Sequence, residues 1–154
     1  MASSDCFPVP GITLGVASAG IKTPGRRDLV LMEIAKGSEV AACFTQNAFC
    51  AAPVHVARAH LEAETPRYLL INTGNANAGT GEQGMGAARR SCESVAELCS
   101  VSPQQVLPFS TGVIGEPLPV DKIEAALAAA HSAQGADQWL LAAEGIMTTD
   151  TQPK

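Results

Sequence analysis

Aromatic residues are scarce in this chain: four Phe, one Tyr and one Trp, 4% of 154 residues. Core volume must therefore come from Val, Leu, Ile, Ala and Met. Charge is low as well, with 16% charged residues against 46% apolar ones, and that balance excludes a disordered chain. Few charges and many alanines suggest extra buried surface, such as a subunit contact. Acidic residues outnumber basic ones, 15 to 10, for a formal net charge of −5, which argues against nucleic acid or an anionic membrane as the main partner. No apolar run approaches the roughly 18 residues of a membrane helix. The opening "MASSDCFPVPG" has neither a basic stretch nor an apolar run, so no secretory leader is expected.

Cysteine pairing is missing too. The five cysteines (Cys6, Cys43, Cys50, Cys92, Cys99) are odd in number and form no C-x-x-C, a pattern that fits reduced thiols in a cytoplasmic protein. Cys92 and Cys99 share a helical face and read as core packing. The histidines lack metal-ligand spacing. His55 and His60, five apart in a helical segment, fall on different faces and read as surface or half-buried residues. No Ser-His-Asp or Cys-His set is evident, so the chain shows no nucleophile and base of its own. Asp28, after Arg26 and Arg27, reads as part of a solvated charge cluster at a turn.

What is present is a run of alternating elements. "GITLGVASAG" (11–20) reads as a short strand and turn, and "TPGRRD" (23–28) as a turn punctuated by Pro24-Gly25. "DLVLMEIA" (28–35) and "VAACFTQ" (40–46) read as two strands of a hairpin closed by "KGSE"; the first is apolar almost throughout, as a strand covered on both faces would be. A helix is expected from Pro53, with Val54, Ala57 and Leu61 inward. A buried strand at 67–72 precedes a helix over about 84–99, striped by Met85, Ala88, Cys92, Val95, Ala96 and Cys99. "QQVLPFS" (104–110) is a strand whose Pro108 puts it at an edge or ends it early. A helix over 120–133 turns Ile123, Ala126, Leu127 and Ala130 inward and stops at Gly135, and a last short helix ends at Gly145. The order β-β-β-α-β-α-β-α-α indicates one α/β domain over 1–154 with a mixed sheet. The polar tail "IMTTDTQPK" reads as a disordered end or the approach to a further strand.

Two segments invite a chemical reading. "NTGNANAGTGEQG" (72–84) contains Gly79, Gly81 and Gly84 in the spelling G-x-G-x-x-G. A dinucleotide turn needs the first glycine at the strand's end and the third at the helix start. Here Gly79 follows the expected strand end at Asn72 by seven residues, and the acidic residues beyond it fall inside the next helix. The segment therefore reads as a turn in which Asn72, Asn75 and Asn77 bond their own backbone; a nucleotide-binding α/β module is the alternative. In "FSTGVIGEP" (109–117), Thr111 and Gly112 could offer a hydroxyl and a backbone N–H to one point, as an oxyanion hole requires. On spacing alone a strand-ending turn is the better reading of this segment.

Five blocks taken together carry more. "AGIKTPGRRDLVLM", "VAACFTQNAFCAAPV", "LLINTGNANAGTGEQG", "FSTGVIGEPLPVDKI" and "GIMTTDTQPK", in this order from Gly11 to Lys154, resemble the bifunctional glutamate N-acetyltransferase / ornithine acetyltransferase family of arginine biosynthesis. The likeness is to its N-terminal, or α, portion. The resemblance implies a precursor that cleaves itself before a threonine into α and β chains that stay together. The N-terminal threonine of the β chain is then the nucleophile, with its own α-amine as base. It takes acetyl from N-acetylornithine and passes it to glutamate in ping-pong fashion. Some members also accept acetyl-CoA as a co-substrate; no resident cofactor or metal is implied. Thr111 and Gly112 match the family's oxyanion pair. Thr148 or Thr149 matches its substrate-contacting threonine, with Thr148 favoured. The implied fold is a layered α/β sandwich completed by the β chain, in a higher oligomer of α/β pairs. The family's α chain runs on past "DTQPK" through a strand and a Lys-Gly segment to the cleavage threonine, so this chain is expected to be cut short and inactive alone. A non-catalytic assembly subunit is a further alternative.

Overall fold

The structure, a computed structural model, describes residues 6–153. The first five residues of the segment read as lacking a secretory leader, and Lys154, lie outside the described residues.

Strand β2 (Leu29–Ile34) explains its own uniform apolarity. Leu29 and Leu31 point into a core on one side of the sheet, while Val30 joins a second cluster on the other. With both faces covered, neither set of alternating positions is left to be polar. Strand β1 (Ile12–Ala17) pairs antiparallel with one edge of β2, Ala17 opposite Leu29. Strand β3 (Tyr68–Asn75) takes the other edge, also antiparallel, with Leu31 opposite Leu70. Strand β4 (Val106–Val113) runs parallel to β3, so the order is β1-β2-β3-β4. This is the mixed sheet expected. Pro108, which lacks an N–H, is tolerated because β4 is an edge strand; the strand continues through it to Val113 rather than ending early.

The expected hairpin of 28–35 with 40–46 does not form. Both hydrogen-bonding edges of β2 are already occupied, by β1 and β3. Residues 40–46 instead run outside the sheet, largely exposed. They are held at the surface by Arg58, whose guanidinium stacks 5.1 Å from the Phe44 ring centroid and donates to the Thr45 carbonyl at 3.4 Å.

Three helices, α1 (Ala52–Ala63), α2 (Gly81–Cys99) and α3 (Val120–Ser132), cover one face. Val56, Cys92 and Ile123 bring one helix each against Leu29, Leu31 and Leu70. Each such side chain, fully removed from water, contributes roughly 1.5–3 kcal/mol, so this face supplies most of the core. The stripes expected for α2 and α3 are the ones buried, with Met85 and Cys99 only partly so. In α1 the stripe is rotated: Ala52, Pro53, Val56 and Ala57 are buried, while Val54 and Leu61 are only half-buried. Gly135 does more than stop α3, which already ends at Ser132. It exchanges two 3.0 Å backbone hydrogen bonds with Leu14 and extends the sheet beyond β1.

Among the described residues the opposite face carries only α4 (Trp139–Gly145), which packs Ala142 and Trp139 on Leu14, Val30 and Met32. The Thr73 hydroxyl donates to the Gly145 carbonyl at 3.1 Å, and Arg27 pairs with Glu144 at 2.7 Å. These contacts bring the end of α4 close to the ends of β3 and β4.

Candidate functional site

The parallel strands β3 and β4 finish together in an irregular pair. Gly74 lies opposite Gly112, and the register shifts at Gly74/Asn75. Both glycines take positive φ, +95° and +137°. A Cβ on Gly112 would stand 2.4 Å from the Gly74 carbonyl carbon, and one on Gly74 would stand 2.9 Å from Lys22 Cβ. Only glycine permits this approach of two backbones and a loop. Buried polar groups pin the pair from behind: Ser110 donates to the Asn72 side-chain oxygen at 2.6 Å, and the Asn72 amide donates to the Asn75 carbonyl at 2.9 Å.

The loop between β1 and β2 forms the second wall, and Asp28 builds it. The Asp28 side chain is buried, and its carboxylate accepts the backbone N–H groups of Ala19 and Ile21 at 2.6 Å each. Expected as a solvated charge, Asp28 is instead an inward-facing buckle. A buried carboxylate is stable only when its lone pairs are taken up by donors, and the amides of its own loop provide them. The buckled loop sets Lys22 and Arg26 along the edge of a cleft. Lys22 pairs with Glu116 at 3.1 Å across its rim.

The third wall is the segment after α4. The Arg26 guanidinium donates to the carbonyls of Met147 and, at 3.3 Å, Thr148. The result is a cleft of about 340 Å³ lined by Lys22, Arg26, Gly74, Gly112, Thr148 and Thr149 among others. Gly112, Thr148 and Thr149, singled out in the sequence, thus meet in one place. Thr148 is half-buried and Thr149 exposed. Thr111 is half-buried and lines not this cleft but a broad apolar cavity of about 610 Å³ on the α4 face, with Ile71, Phe109 and Trp139. The Thr111-Gly112 pair therefore straddles the end of β4. The sequence reading missed Arg26 and Asp28; a lone carboxylate just ahead of an apolar strand was the signal for the second.

The Asn-rich loop has its polar groups engaged within the fold. Asn77, fully buried with φ +47°, donates to the Gly84 carbonyl at 2.9 Å and accepts the Thr80 hydroxyl at 2.9 Å. The Asn75 amide donates to the carbonyls of Glu116 and Pro117 at 3.1 Å. Strand β3 runs to Asn75 and α2 opens at Gly81, so Gly79 follows the strand by four residues, not seven. The helix opens on the second glycine of the spelling rather than the third. His60 is half-buried, with Nδ1 2.8 Å from the Val106 carbonyl, and His55 is exposed. Burial raises the Cys92 thiol to about 12, with a smaller contribution from Glu93; it raises Cys99 in the same direction. Neither is a nucleophile at neutral pH.

Known proteins share this fold. A profile of the ArgJ family matches residues 13–154. The arginine biosynthesis bifunctional protein ArgJ of Pseudomonas syringae pv. tomato is 63% identical over 147 residues, which are 96% of this chain and 36% of the relative. That of Methylococcus capsulatus is 60% identical over the same shares. The chain thus spans little over a third of these relatives. Among solved structures, the ornithine acetyltransferase of Mycobacterium tuberculosis complexed with ornithine superposes with a TM-score of 0.87 at 35% identity, covering 94% of this chain and 78% of that one. The ArgJ protein of Bacillus halodurans superposes with a TM-score of 0.77 at 31% identity, over 92% and 74%. With the family profile spanning nearly all of the chain and the same fold found at this identity, the chain belongs to the ArgJ family.

Proposed function

We propose that residues 1–154 form a single α/β domain, the α-chain portion of a cytoplasmic acetyltransferase that moves acetyl from N-acetylornithine to glutamate. The observation that carries the reading is the cleft at the end of β4, where Gly112 meets the Thr148–Thr149 segment. In this reading the attacking hydroxyl belongs to the N-terminal threonine of a β chain from the same precursor, and its α-amine takes the proton. Attack on the acetyl carbonyl makes a tetrahedral oxyanion. An edge strand leaves backbone N–H groups without a strand partner, and β4 is such a strand. In this reading the acetyl carbonyl sits over the end of β4, where the cleft lined by Gly112 meets the cavity lined by Thr111, so that the Gly112 N–H and the Thr111 hydroxyl both reach the oxyanion. Ornithine leaves with the proton, the acetyl group remains on the threonine, and the glutamate amine then repeats the sequence in reverse. Thr148, or else Thr149, holds the substrate beside the acetyl carbonyl. Acetyl-CoA is an alternative donor by the same chemistry. The β chain covers the open sheet face to complete the sandwich, and α/β pairs assemble further. In this reading the α portion transfers acetyl only together with the β chain, which brings the nucleophile.

The test is made on the full-length protein. N-acetylornithine without acceptor should add one acetyl group to the β-chain threonine, seen by mass spectrometry. Thr111→Ala should slow transfer by about 10²-fold, the effect of removing one oxyanion donor. Transfer at the wild-type rate would remove Thr111 from the mechanism.

A further inference from the structure

We propose that Arg26 is a positioning residue: its guanidinium bridges two successive backbone carbonyls and fixes where the Thr148 and Thr149 side chains stand relative to Gly112. The inference rests on the acetyltransferase reading for its kinetic consequence, but not for its geometry. Three observations carry it. Arg26 reaches more than 120 residues along the chain to the Met147 and Thr148 carbonyls, and both it and Thr148 and Thr149 line the cleft that holds Gly112. The loop carrying Arg26 is itself anchored, since the buried Asp28 carboxylate holds the amides of Ala19 and Ile21. The end of α4 is held separately, by Thr73 on Gly145 and Arg27 on Glu144.

The helical hydrogen bonding of α4 has run out by this point: Ile146 bonds back to Ala142 and Met147 to Glu144. Beyond Met147 the chain leaves the helix, and Arg26 grips it at the turn into the threonines. Both bonds come from one guanidinium nitrogen, Nη2, whose N–H groups are held in the plane of a guanidinium that stays charged at every working pH. A lysine also has several N–H donors, but they rotate freely on a strongly hydrated ammonium at the end of a flexible stem, so it holds the two carbonyls less firmly. Arg26 therefore acts through the backbone of 147–148, and the substrate meets the threonines rather than the arginine.

The experiment uses the full-length protein with Arg26→Ala, Arg26→Lys and, as a control, Arg89→Ala at an exposed position of α2 outside the cleft lining. Hydrogen exchange followed by mass spectrometry should show faster exchange over 146–150 in Arg26→Ala, while the β1–β2 loop held by Asp28 stays protected. In the acetyltransferase assay Arg26→Ala should raise KM for N-acetylornithine about 10-fold and change kcat little, the pattern of a lost binding interaction common to ground and transition states. Added guanidinium ion should restore part of the KM; Arg26→Lys should fall between wild type and Arg26→Ala. A loss of general stability would not be rescued by guanidinium, and Arg89→Ala should leave KM near wild type. Unchanged exchange over 146–150 overturns the proposal, as does an unchanged KM in an enzyme that transfers acetyl. If the wild-type protein transfers no acetyl, the acetyltransferase reading falls, and the exchange measurement still decides whether Arg26 holds the segment.

Discussion

Gly112 faces Gly74 across the parallel β3–β4 pair so closely that a Cβ on Gly112 would stand 2.4 Å from the Gly74 carbonyl carbon and 2.6 Å from the Asn75 nitrogen. Both residues hold positive φ, and the register slips beside them. The candidate site is thus built on a backbone irregularity rather than on a constellation of reactive side chains.

Gly112→Ala should for that reason damage the fold and the cleft together. The φ of +137° costs a non-glycine residue on the order of 1–3 kcal/mol before any clash is counted, and the contact with Gly74 adds to it. Urea denaturation should show a clear fall in midpoint. Gly115→Ala is the control, since Gly115 has φ +80° but open space around its Cβ position; it should lose only the backbone contribution. Equal losses for the two would show that the approach to Gly74 carries no energy.

Asp28→Asn tests the buckle. The carboxylate accepts two backbone N–H groups at 2.6 Å, whereas an amide offers one oxygen and turns its NH₂ toward the second donor. Hydrogen bonds to a charged group contribute about 1.5–3 kcal/mol each, and one of the two is lost. Stability should drop by about that amount, and the Ala19 and Ile21 amides should exchange faster by NMR. Protection unchanged at both amides would mean that the loop holds its shape without the carboxylate.

The thiols should separate by burial. Cys43 is exposed and Cys92 is fully buried, so a disulfide reagent at pH 8 should label Cys43 quickly and Cys92 only on unfolding. Burial raises the Cys92 thiol from 9.0 to about 12. Because the folded value lies above the unfolded one, its contribution to stability is fully present below about pH 9 and declines as pH rises toward 12. Replacing Cys92 by Ala should remove that part of the alkaline loss in a pH series of denaturation midpoints, while opening a cavity that lowers stability at every pH.

Much of the architecture was legible because local periodicity encodes faces. The stripe of α2 could be read from Ala88, Cys92, Val95 and Ala96, and that of α3 from Ile123 to Ala130. The apolar run of β2 announced a strand buried on both sides. The hairpin of 28–35 with 40–46 was misread because pairing is a competition among distant segments. β1 and β3 take both edges of β2, and nothing local to "VAACFTQ" reveals that. Asp28 was misread for a related reason: beside two arginines it looks solvated, and only the folded loop supplies the amides that let it be buried.

By itself, then, the sequence determined the α/β class, the inward faces of most elements and, through five ordered blocks, the family. The tertiary structure decided which strands meet and that Gly112, Arg26 and Thr148 share one cleft although they lie far apart in the chain. The reason is physical. Side-chain periodicity is a property of neighbours three or four residues apart, whereas a site formed by a strand end, a loop and a segment past a helix exists only once non-local pairing has set those three backbones against each other.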